Sequence, residues 1–541
     1  MLPAPMRSSS WFPRFGSVGA AILAVSVFGC ATTSRKSTEP AADRVPACTL
    51  ASFSKLPDVA LTWVTMESTP VSHCKVAGVI GPEIHFELLL PQEWNGKFVM
   101  GGGGGFVGSV MNIALLYGAL ESGYATVGTD TGHEGHPLDA SWALHRPDRL
   151  VNFGHQAVHR TAVAAKALIT AHYRRDIAHN YFVGCSRGGG QALMEAQRYP
   201  EDFEGIVAGA PAYDWTNGLG AGPTQINQHM YPDPKKLDYA VISPEQEELI
   251  GSRILAECDH LDGLEDGILN DPRQCTFDVD SLACGRGQTK GCLGDAQLRA
   301  AKAIYDGPQD SEGKSLFPGF PFGGEGSPMG WSRWLTGGLG RASSAAQFHP
   351  GAVTSDYPVP VVPSTLFGFG QGVMKYFVYQ DPSWSYVGYR FDRFREDAAT
   401  AAATLNATDP DLSAFRRRGG KLLMYTGWSD MAITALGTIA YYDAVVTHDS
   451  SAAEDVRLFM MPGVDHCTGG VGPSYVNFLD EIDAWVEAGA APDEMETYWL
   501  DSDAKPNGSR LLCAYPKVAE YDGAGDPRAA TSFRCVERGS R

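Results

Sequence analysis

The stretch NYFVGCSRGGGQALMEAQR, residues 180–198, decides the fold. Residues 180–183 are typical of a buried strand, and residues 189–198 are typical of a helix that ends before the Tyr-Pro pair that follows. Between them, residues 184–188 match the pattern Gly-x-Ser-x-Gly. A serine on a tight strand-to-helix turn adopts a strained backbone, and the flanking glycines let the strand and helix approach closely. The stretch therefore predicts an α/β sheet that presents Ser186 as a nucleophile, the alternative being a structural Gly-Ser turn.

The rest of the chain fits the same fold class. Short strand-like runs alternate with helical patterns at 156–173 and 432–446, which is typical of a mostly parallel sheet covered by helices. We expect residues 46–212 and 410–541 to form one α/β catalytic domain. Residues 213–409, rich in aromatic residues, glycine and proline, are expected to form a lid domain inserted between two core strands. The predicted core strands are 85–90, 97–100, 124–130, 180–183, 205–208, 421–425 and 457–461.

Composition limits the classes of partner. The 541 residues are 44% hydrophobic, which is enough to bury a large core. Lysine and arginine total 43 against 62 aspartates and glutamates, so the net charge is −19. This charge, spread along the chain, argues against nucleic acid or an anionic membrane as a partner.

The N-terminus has the pattern of an export signal. In residues 1–30, arginines precede an apolar run that is too short for a spanning helix, and residues 31–45 form a polar linker. The residues before Cys30 resemble a bacterial lipoprotein cleavage site, at which that cysteine is lipidated. We expect an exported protein that is periplasmic, extracellular or anchored in the outer membrane. A lipid on Cys30 would be its one membrane contact.

The cysteines are consistent with an oxidising compartment. Eleven cysteines without Cys30 leave an even ten, although sequence alone does not fix their connectivity. Cys185 and Cys467 have no near neighbour with which to pair. Spacing suggests the pairs Cys48–Cys74, Cys258–Cys275, Cys284–Cys292 and Cys513–Cys535.

A nucleophilic serine needs a histidine to take its proton and a carboxylate to orient that histidine. In this fold class the chain order is Ser, acid, His. Asp430 and His466 follow the last two predicted core strands, where catalytic groups are commonly carried on loops. His133 is a rival base, but it precedes the serine, and a structural hydrogen-bonding role is expected for it. Asp465 is a poor orienter of His466 because adjacent side chains usually point apart.

This choice of triad has a consequence for the two remaining cysteines. Cys185 directly precedes Ser186 and Cys467 directly follows His466, so the triad would bring the two cysteines together. A disulfide between them would tie the serine turn to the histidine loop. The rival interpretation, a reactive cysteine, requires a thiolate that export conditions tend to oxidise.

Residues 101–105 are five consecutive glycines after an early core strand. They lack the Lys-Ser/Thr ending of a phosphate-binding P-loop. Their position matches the loop that supplies a backbone N–H to an oxyanion hole. We predict an oxyanion hole formed by Gly104 or Gly105 together with the N–H of Arg187; the alternative is a flexible turn.

An acidic segment in the predicted lid, residues 258–268, contains two glycines and carboxylates three and four positions apart. Oxygen ligands at such spacing, with carbonyls from a bent backbone, suit Ca²⁺. The alternative is an acidic surface loop. The predicted ligands are the carboxylates of Asp259, Asp262 and Asp266 and the backbone oxygens of Leu264 and Ile268.

Together these motifs resemble the tannase and feruloyl esterase family, which includes hydrolases of mono(2-hydroxyethyl) terephthalate. The resemblance covers nearly all of the chain after the export signal. It rests on the motifs GCSRGG from Gly184, GWSD ending at Asp430, DHC around His466 and the acidic segment from Asp259. The stretches DLSAF from Asp411 and GGK ending at Lys421 match as well.

The resemblance implies an α/β-hydrolase core with a lid, and structural Ca²⁺ in that lid. The family triad falls on Ser186, Asp430 and His466, and the family disulfide falls on Cys185–Cys467. The implied activity is hydrolysis of esters of aromatic acids, with a small aromatic ester as substrate, either free or attached to plant polysaccharide or polyphenol. Lid aromatics that could form a flat slot for the acid are Trp331, Trp334, Phe369, Tyr376 and Trp384.

Several functions remain as alternatives. Hydrolases of terephthalate monoesters carry an aromatic residue three positions after the triad aspartate, whereas this chain has Ile433 there. The substitution favours phenolic esters. An acyltransferase would use an alcohol in place of water. A non-catalytic surface lipoprotein would only bind phenolics or polysaccharide.

Overall fold

One large mixed sheet organises the computed structural model, which describes residues 47–53, 55–337 and 362–537. The expected export signal with Cys30 and the whole of the expected linker, residues 31–45, lie outside the described residues. Nine strands form this sheet and four more form two separate hairpin-like pairs. In chain order the strands are β1 (Val59–Glu67), β2 (His73–Ile80), β3 (Ile84–Pro91), β4 (Lys97–Gly101), β5 (Ala125–Thr129), β6 (His179–Cys185), β7 (Gly205–Gly209), β8 (Lys421–Gly427), β9 (Val456–Met461), β10 (Glu494–Leu500), β11 (Pro506–Cys513), β12 (Val518–Tyr521) and β13 (Phe533–Val536).

The order across the large sheet is β1-β2-β3-β5-β4-β6-β7-β8-β9. The pairs among β1, β2, β3 and β5 are antiparallel, and every later pair is parallel. The carboxyl ends of β6, β7, β8 and β9 therefore lie at one edge, where open α/β sheets commonly bind ligands.

Helices cover both faces of this sheet. Alternate residues of β6 enter different clusters: Phe182 packs in the one that contains the helices Ala157–Tyr173, Arg187–Arg198 and Ala435–His448, whereas Tyr181 and Val183 pack in the one that contains the helix Phe478–Ala488. This arrangement explains why the core strands are almost continuously apolar. The helices are α1 (Pro147–Val151), α2 (Ala157–Tyr173), α3 (Arg187–Arg198), α4 (Gly222–Met230), α5 (Pro244–Cys258), α6 (Asp295–Asp306), α7 (Trp331–Trp334), α8 (Thr365–Gly372), α9 (Phe394–Asp397), α10 (Ala399–Leu405), α11 (Ser413–Arg416), α12 (Ala435–His448) and α13 (Phe478–Ala488).

The chain between β7 and β8 leaves the sheet and returns to it. Gly209 of β7 pairs directly with Tyr425 of β8, so the intervening segment is an excursion that holds α4 to α11. Its apolar side chains form a second core together with residues of the catalytic domain such as Phe106 and Ile433. Within the described part of the chain, none of the helices has both the length and the apolar character needed to cross a bilayer.

Five disulfides are present among the described residues. Four of them join the cysteines that spacing suggested, and the fifth joins the cysteine before Ser186 to the cysteine after His466. Cys185 and Cys467 are 282 positions apart in sequence, with Cα atoms separated by 5.9 Å. The other pairs are Cys48–Cys74, Cys258–Cys275, Cys284–Cys292 and Cys513–Cys535.

The structure also differs from the sequence-based expectation. Strands β1 and β2 and the four C-terminal strands were not predicted, and the helix expected at 432–446 begins at Ala435. It begins later because residues 430–434 form a turn around the side chain of Asp430, which accepts hydrogen bonds from the N–H groups of Ala432 and Ile433.

Candidate active site

Ser186 stands on a sharp turn between β6 and α3. Its backbone has φ +63° and ψ −121°, a left-handed conformation that is strained for a residue with a side chain. A Cβ atom on Gly184 would lie 2.3 Å from the carbonyl oxygen of Gly188, so only glycine permits this approach of strand and helix. The Ser186 N–H donates to Gly209 O at 2.9 Å, which fixes the turn against β7.

Asp430 and His466 follow β8 and β9, the strands that succeed β7 across the sheet. His466 Nδ1 lies 2.8 Å from Asp430 Oδ2, a hydrogen-bonding distance. Asp430 is fully buried, and its other oxygen accepts from two backbone N–H groups, which fixes the carboxylate. The structure thus brings a buried, oriented carboxylate to the histidine at the edge of the sheet that carries the serine.

The two rival groups have other partners. His133 Nε2 is 2.9 Å from Phe106 O, its ring stacks on Trp142, and burial lowers the pKa of His133 to about 3. Asp465 accepts hydrogen bonds from the hydroxyl of Ser327 and the N–H of Met329 in the lid. Burial raises the pKa of Asp465 to about 6. Both contacts join the histidine loop to the lid.

The glycine loop, residues 101–105, contains the two alternative oxyanion donors, Gly104 and Gly105, and their N–H groups differ in their contacts. The N–H of Gly104 is directed at Met111 Sδ, at 3.2 Å. Gly105 lines the same pocket as Ser186 and Arg187, and within the described residues the N–H groups of Gly105 and Arg187 have no protein acceptor. Of the predicted donors, Gly104 therefore has an acceptor in Met111, whereas Gly105 and Arg187 have none among the described residues.

The side chain of Arg187 was not singled out from the sequence. It is almost fully buried, and Nη2 donates to the carbonyl oxygens of Phe153 and Gly154 in the π-helical turn Asn152–Gln156. The guanidinium lies over the rings of Phe153 and Trp215, at 4.3 and 5.4 Å from their centroids. Burial lowers the pKa of Arg187 to about 9. Its side chain anchors the first turn of α3 beside the pocket that the residue lines.

One pocket is lined by both Ser186 and His466. Of the five lid aromatics predicted to form a slot, Trp334 and Phe369 line this pocket, and Trp334 meets the His466 ring edge to face at 5.2 Å. Trp331 is fully buried in the lid core. Tyr376 and Trp384 pack against the lid clusters and are not among the lining residues. The remaining lining residues are Gly105, Arg187, Ala212, Trp215, Leu219, Ala432 and Ile433.

Trp215 and Leu219 are lining residues that the sequence analysis missed. Both lie in a π-helical segment, Trp215–Ala221, near the start of the excursion between β7 and β8. The presence of an aromatic residue, Trp215, close to the predicted start of the lid was the one available sign that this segment lines the pocket. Hydrophobic periodicity could not show it, because it does not reveal a π-helix.

In the acidic loop proposed to bind calcium, the aspartate side chains accept hydrogen bonds from backbone N–H groups of the same loop. Asp259 accepts from the Gly267 N–H, Asp262 from Leu264 and Asp266 from Ile268. Asp262 Oδ2 is buried without a hydrogen-bond partner, and burial raises the pKa of Asp262 to about 6. Asp266 is also 3.3 Å from a guanidinium nitrogen of Arg510. The unpartnered Asp262 oxygen suits a hard cation such as Ca²⁺. The three aspartates do not form a group with ligand atoms within 4.8 Å of one another in the described residues, so Ca²⁺ would have to draw them closer.

Comparison with known proteins finds one family that matches most of the chain. The family model described as tannase and feruloyl esterase matches residues 68–536. An uncharacterized esterase of Xanthomonas campestris is 32% identical, covering 97% of this chain and 96% of its own. A mono(2-hydroxyethyl) terephthalate hydrolase of Piscinibacter sakaiensis is also 32% identical, with 86% and 85% covered. The crystal structure of feruloyl esterase B from Aspergillus oryzae superposes with a TM-score of 0.76 at 25% identity, covering 89% of this chain and 98% of the other.

The fold and these relatives define a carboxylic ester hydrolase with the α/β-hydrolase fold. More particularly, the chain belongs to the tannase and feruloyl esterase family.

Proposed function

We propose that this esterase hydrolyses esters of phenolic acids through an acyl-enzyme on Ser186. His466 acts as the general base, and Asp430 orients it. The observation that carries this proposal is the 2.8 Å contact between His466 Nδ1 and the buried Asp430, with His466 and Ser186 lining one pocket.

The reaction proceeds in two acyl-transfer steps. His466 takes the hydroxyl proton as Ser186 Oγ attacks the ester carbonyl, and the oxyanion accepts hydrogen bonds from the N–H groups of Gly105 and Arg187. The tetrahedral intermediate collapses, the C–O bond of the ester breaks, and His466 gives its proton to the leaving alcohol. Water then attacks the acyl-enzyme with the same base and restores Ser186.

The lining of the pocket supports an aromatic acyl group. Trp215, Trp334 and Phe369 surround the serine with flat apolar surfaces, and Leu219 and Ile433 complete the wall. Such a site buries an aromatic ring and leaves few polar groups to orient it.

A panel of methyl ferulate, methyl gallate and mono(2-hydroxyethyl) terephthalate tests the proposal. We expect the wild-type protein to hydrolyse the phenolic esters and Ser186→Ala to lose this activity while keeping its melting temperature. Unchanged hydrolysis by the variant would refute the assignment of Ser186. Substrate binding without any turnover by the wild-type protein would favour the binding-only alternative, and ester exchange with added alcohol would favour an acyltransferase.

Hydrolysis of terephthalate monoesters is the second candidate. The mono(2-hydroxyethyl) terephthalate hydrolase of Piscinibacter sakaiensis, which is 32% identical, supports it. Ile433 in the lining argues for the phenolic substrates. The same panel separates the two, because a terephthalate specialist would prefer the monoester over both phenolic esters.

We also propose that the lid loop from Asp259 to Ile268 binds a structural Ca²⁺. Carboxylates of Asp259, Asp262 and Asp266 and the backbone oxygens of Leu264 and Ile268 would hold it. The buried, unpartnered Asp262 Oδ2 is the observation in favour. Bound there, the ion would neutralise the loop and stabilise the lid without taking part in ester chemistry.

We further propose that the protein is exported and that its substrates include phenolic esters attached to plant polysaccharide or polyphenol. Five disulfides support an oxidising compartment, because such bonds persist in the periplasm or outside the cell. Lipid attachment at Cys30 concerns a residue outside the described part of the chain. Phenolic acyl groups carried on plant polysaccharide or polyphenol are the substrates that suit an exported esterase of this family.

A further inference from the structure

Three side chains converge away from the catalytic pocket, on the side of α3 that faces α2. They are His159 of α2, Glu195 of α3 and Asp202 in the loop after α3. One potential ligand atom from each residue lies within 4.8 Å of those of the other two. Among the described residues, these three make up the one such group of histidine, cysteine, aspartate or glutamate side chains. His159 Nδ1 is 2.6 Å from Asp202 Oδ2.

Glu195 points into this group, where its carboxyl group meets that of Asp202. Its exposure is 1%, and among the described residues neither of its oxygens accepts a hydrogen bond from an N–H or hydroxyl donor. The side chain of Asp202 is 4% exposed. Burial and the neighbouring Asp202 raise the pKa of Glu195 well above its usual range. Two buried carboxyl groups this close require either shared protons or a cation, because unpaired buried charge is strongly unfavourable.

The ammonium group of Lys166 is a cation beside this group, but it does not contact Glu195 directly. Lys166 Nζ donates to the backbone oxygen of Asp202 and lies 3.4 Å from Asp202 Oδ1, over the Phe203 ring. It therefore contacts Asp202 directly and acts on Glu195 only through its charge. The Lys166 side chain is 22% exposed, so its ammonium can move towards solvent.

We propose that His159, Glu195 and Asp202 form a binding site for one divalent transition-metal ion of the Zn²⁺ class. One imidazole nitrogen and two carboxylate oxygens are ligands that such ions accept, with water completing the shell. The His159 side chain is 24% exposed, which leaves a path for the ion and a position for water. Its ring stacks on Tyr199 at 4.0 Å, which holds the imidazole in place.

The role of this site is structural. Glu195 lies eight residues beyond Arg187 on α3, about 12 Å along the helix axis from the nucleophile turn. A bound ion would join α2, α3 and the following loop and so brace the helix that starts at Ser186. Binding displaces the protons held between His159, Asp202 and Glu195, because metal ligands bind in their deprotonated form.

Titration of the chelator-stripped full chain with Zn²⁺, in excess Ca²⁺, tests the site. We expect one Zn²⁺ per chain and a rise in melting temperature. Glu195→Gln and the partly exposed His159→Gln should each weaken binding at least tenfold, whereas Lys166→Met should tighten it by removing a competing ammonium. With Co²⁺, a visible d–d band should form in the wild-type protein and be absent from His159→Gln.

A matched control is available in the same chain. His85 Nδ1 is 2.6 Å from the buried Asp130, as in the proposed site, but the described residues place no second carboxylate with that pair. His85→Gln should leave the Zn²⁺ stoichiometry unchanged. No Zn²⁺ uptake by the wild-type protein, or equal uptake by both site variants, would overturn the proposal. Absent uptake with a stabilised Glu195→Gln would identify a proton-sharing carboxyl pair instead.

Discussion

Cys185 and Cys467 are bonded to each other, and this bond joins the residue before Ser186 to the residue after His466. It connects the ends of β6 and β9, which are separated by two strands of the sheet. The serine turn and the histidine loop are therefore covalently held at one edge.

Replacing both cysteines, Cys185→Ala with Cys467→Ala, should reduce stability and activity together. The bond closes a loop of 282 positions, and loss of a native disulfide commonly costs about 2–5 kcal/mol. Because the bond also positions the serine and histidine, kcat should fall even at temperatures where the variant is folded. Denaturant unfolding and kcat for methyl ferulate measure the two effects.

The matched control is the pair Cys284–Cys292, which closes a loop of eight positions in the lid. Its removal should leave kcat almost unchanged. Equal losses of kcat in both double variants would contradict a specific role for Cys185–Cys467.

Asp430→Asn should lower kcat by roughly 10⁴, the order seen when a triad aspartate becomes asparagine. The asparagine oxygen can still accept from Ala432 and Ile433, but its amide would donate to His466 Nδ1. That tautomer carries its proton on Nε2 and cannot accept another from Ser186. Steady-state kinetics measures the loss, and Asp465→Asn, which alters the adjacent carboxylate, should change kcat less than tenfold. A larger effect of Asp465→Asn than of Asp430→Asn would reverse the assignment of the acid.

The pH dependence of stability should reveal the calcium loop. Burial raises the pKa of Asp262 to about 6, compared with about 3.9 in an unfolded chain. Between these values the native state binds more protons than the unfolded state, so this group makes the chelated protein less stable as pH rises from about 4 to 6. Ca²⁺ added at pH 7 should restore the melting temperature by several degrees.

Asp262→Asn should remove both this pH-dependent contribution and the response to Ca²⁺. Glu265→Gln, in the same loop but outside the proposed ligand set, is the control and should keep both. A melting temperature of the wild-type protein that is insensitive to Ca²⁺ would exclude the site.

Ile433 should control the size of the acyl group. It lines both the serine pocket and an adjoining pocket with apolar residues such as Ile304 and Phe317. Ile433→Ala should open that wall and raise kcat/KM for bulky biaryl esters relative to methyl ferulate by about tenfold, the scale of small changes in apolar pockets. An unchanged ratio would show that the acyl group lies elsewhere.

The local chemistry of the sequence predicted the centre of the fold well. The structure contains the predicted strand, serine turn and helix as β6, Ser186 and α3. This unit could be predicted because its geometry depends on residues that are adjacent in sequence, such as Gly184. Asp430 and His466 could be chosen because parallel strands deliver their carboxyl ends to one edge.

The remaining features depend on contacts distant in sequence. β1 is an edge strand with a register shift after Leu61 and many exposed residues, so its apolar alternation is weak. The choice between Gly104 and Gly105 depends on Met111, and the burial of Arg187 depends on the carbonyls of a π-helical turn. Neither partner can be identified from spacing.

The most direct test of the account is to map the residue that an aromatic ester-mimicking fluorophosphonate modifies. Intact mass followed by peptide mapping should find one adduct per chain, on Ser186, formed in step with loss of methyl ferulate hydrolysis. Ser186→Ala should form no adduct and have no activity. Full inactivation with the adduct on another residue, or hydrolysis that persists with Ser186 fully modified, would contradict the acyl-enzyme mechanism.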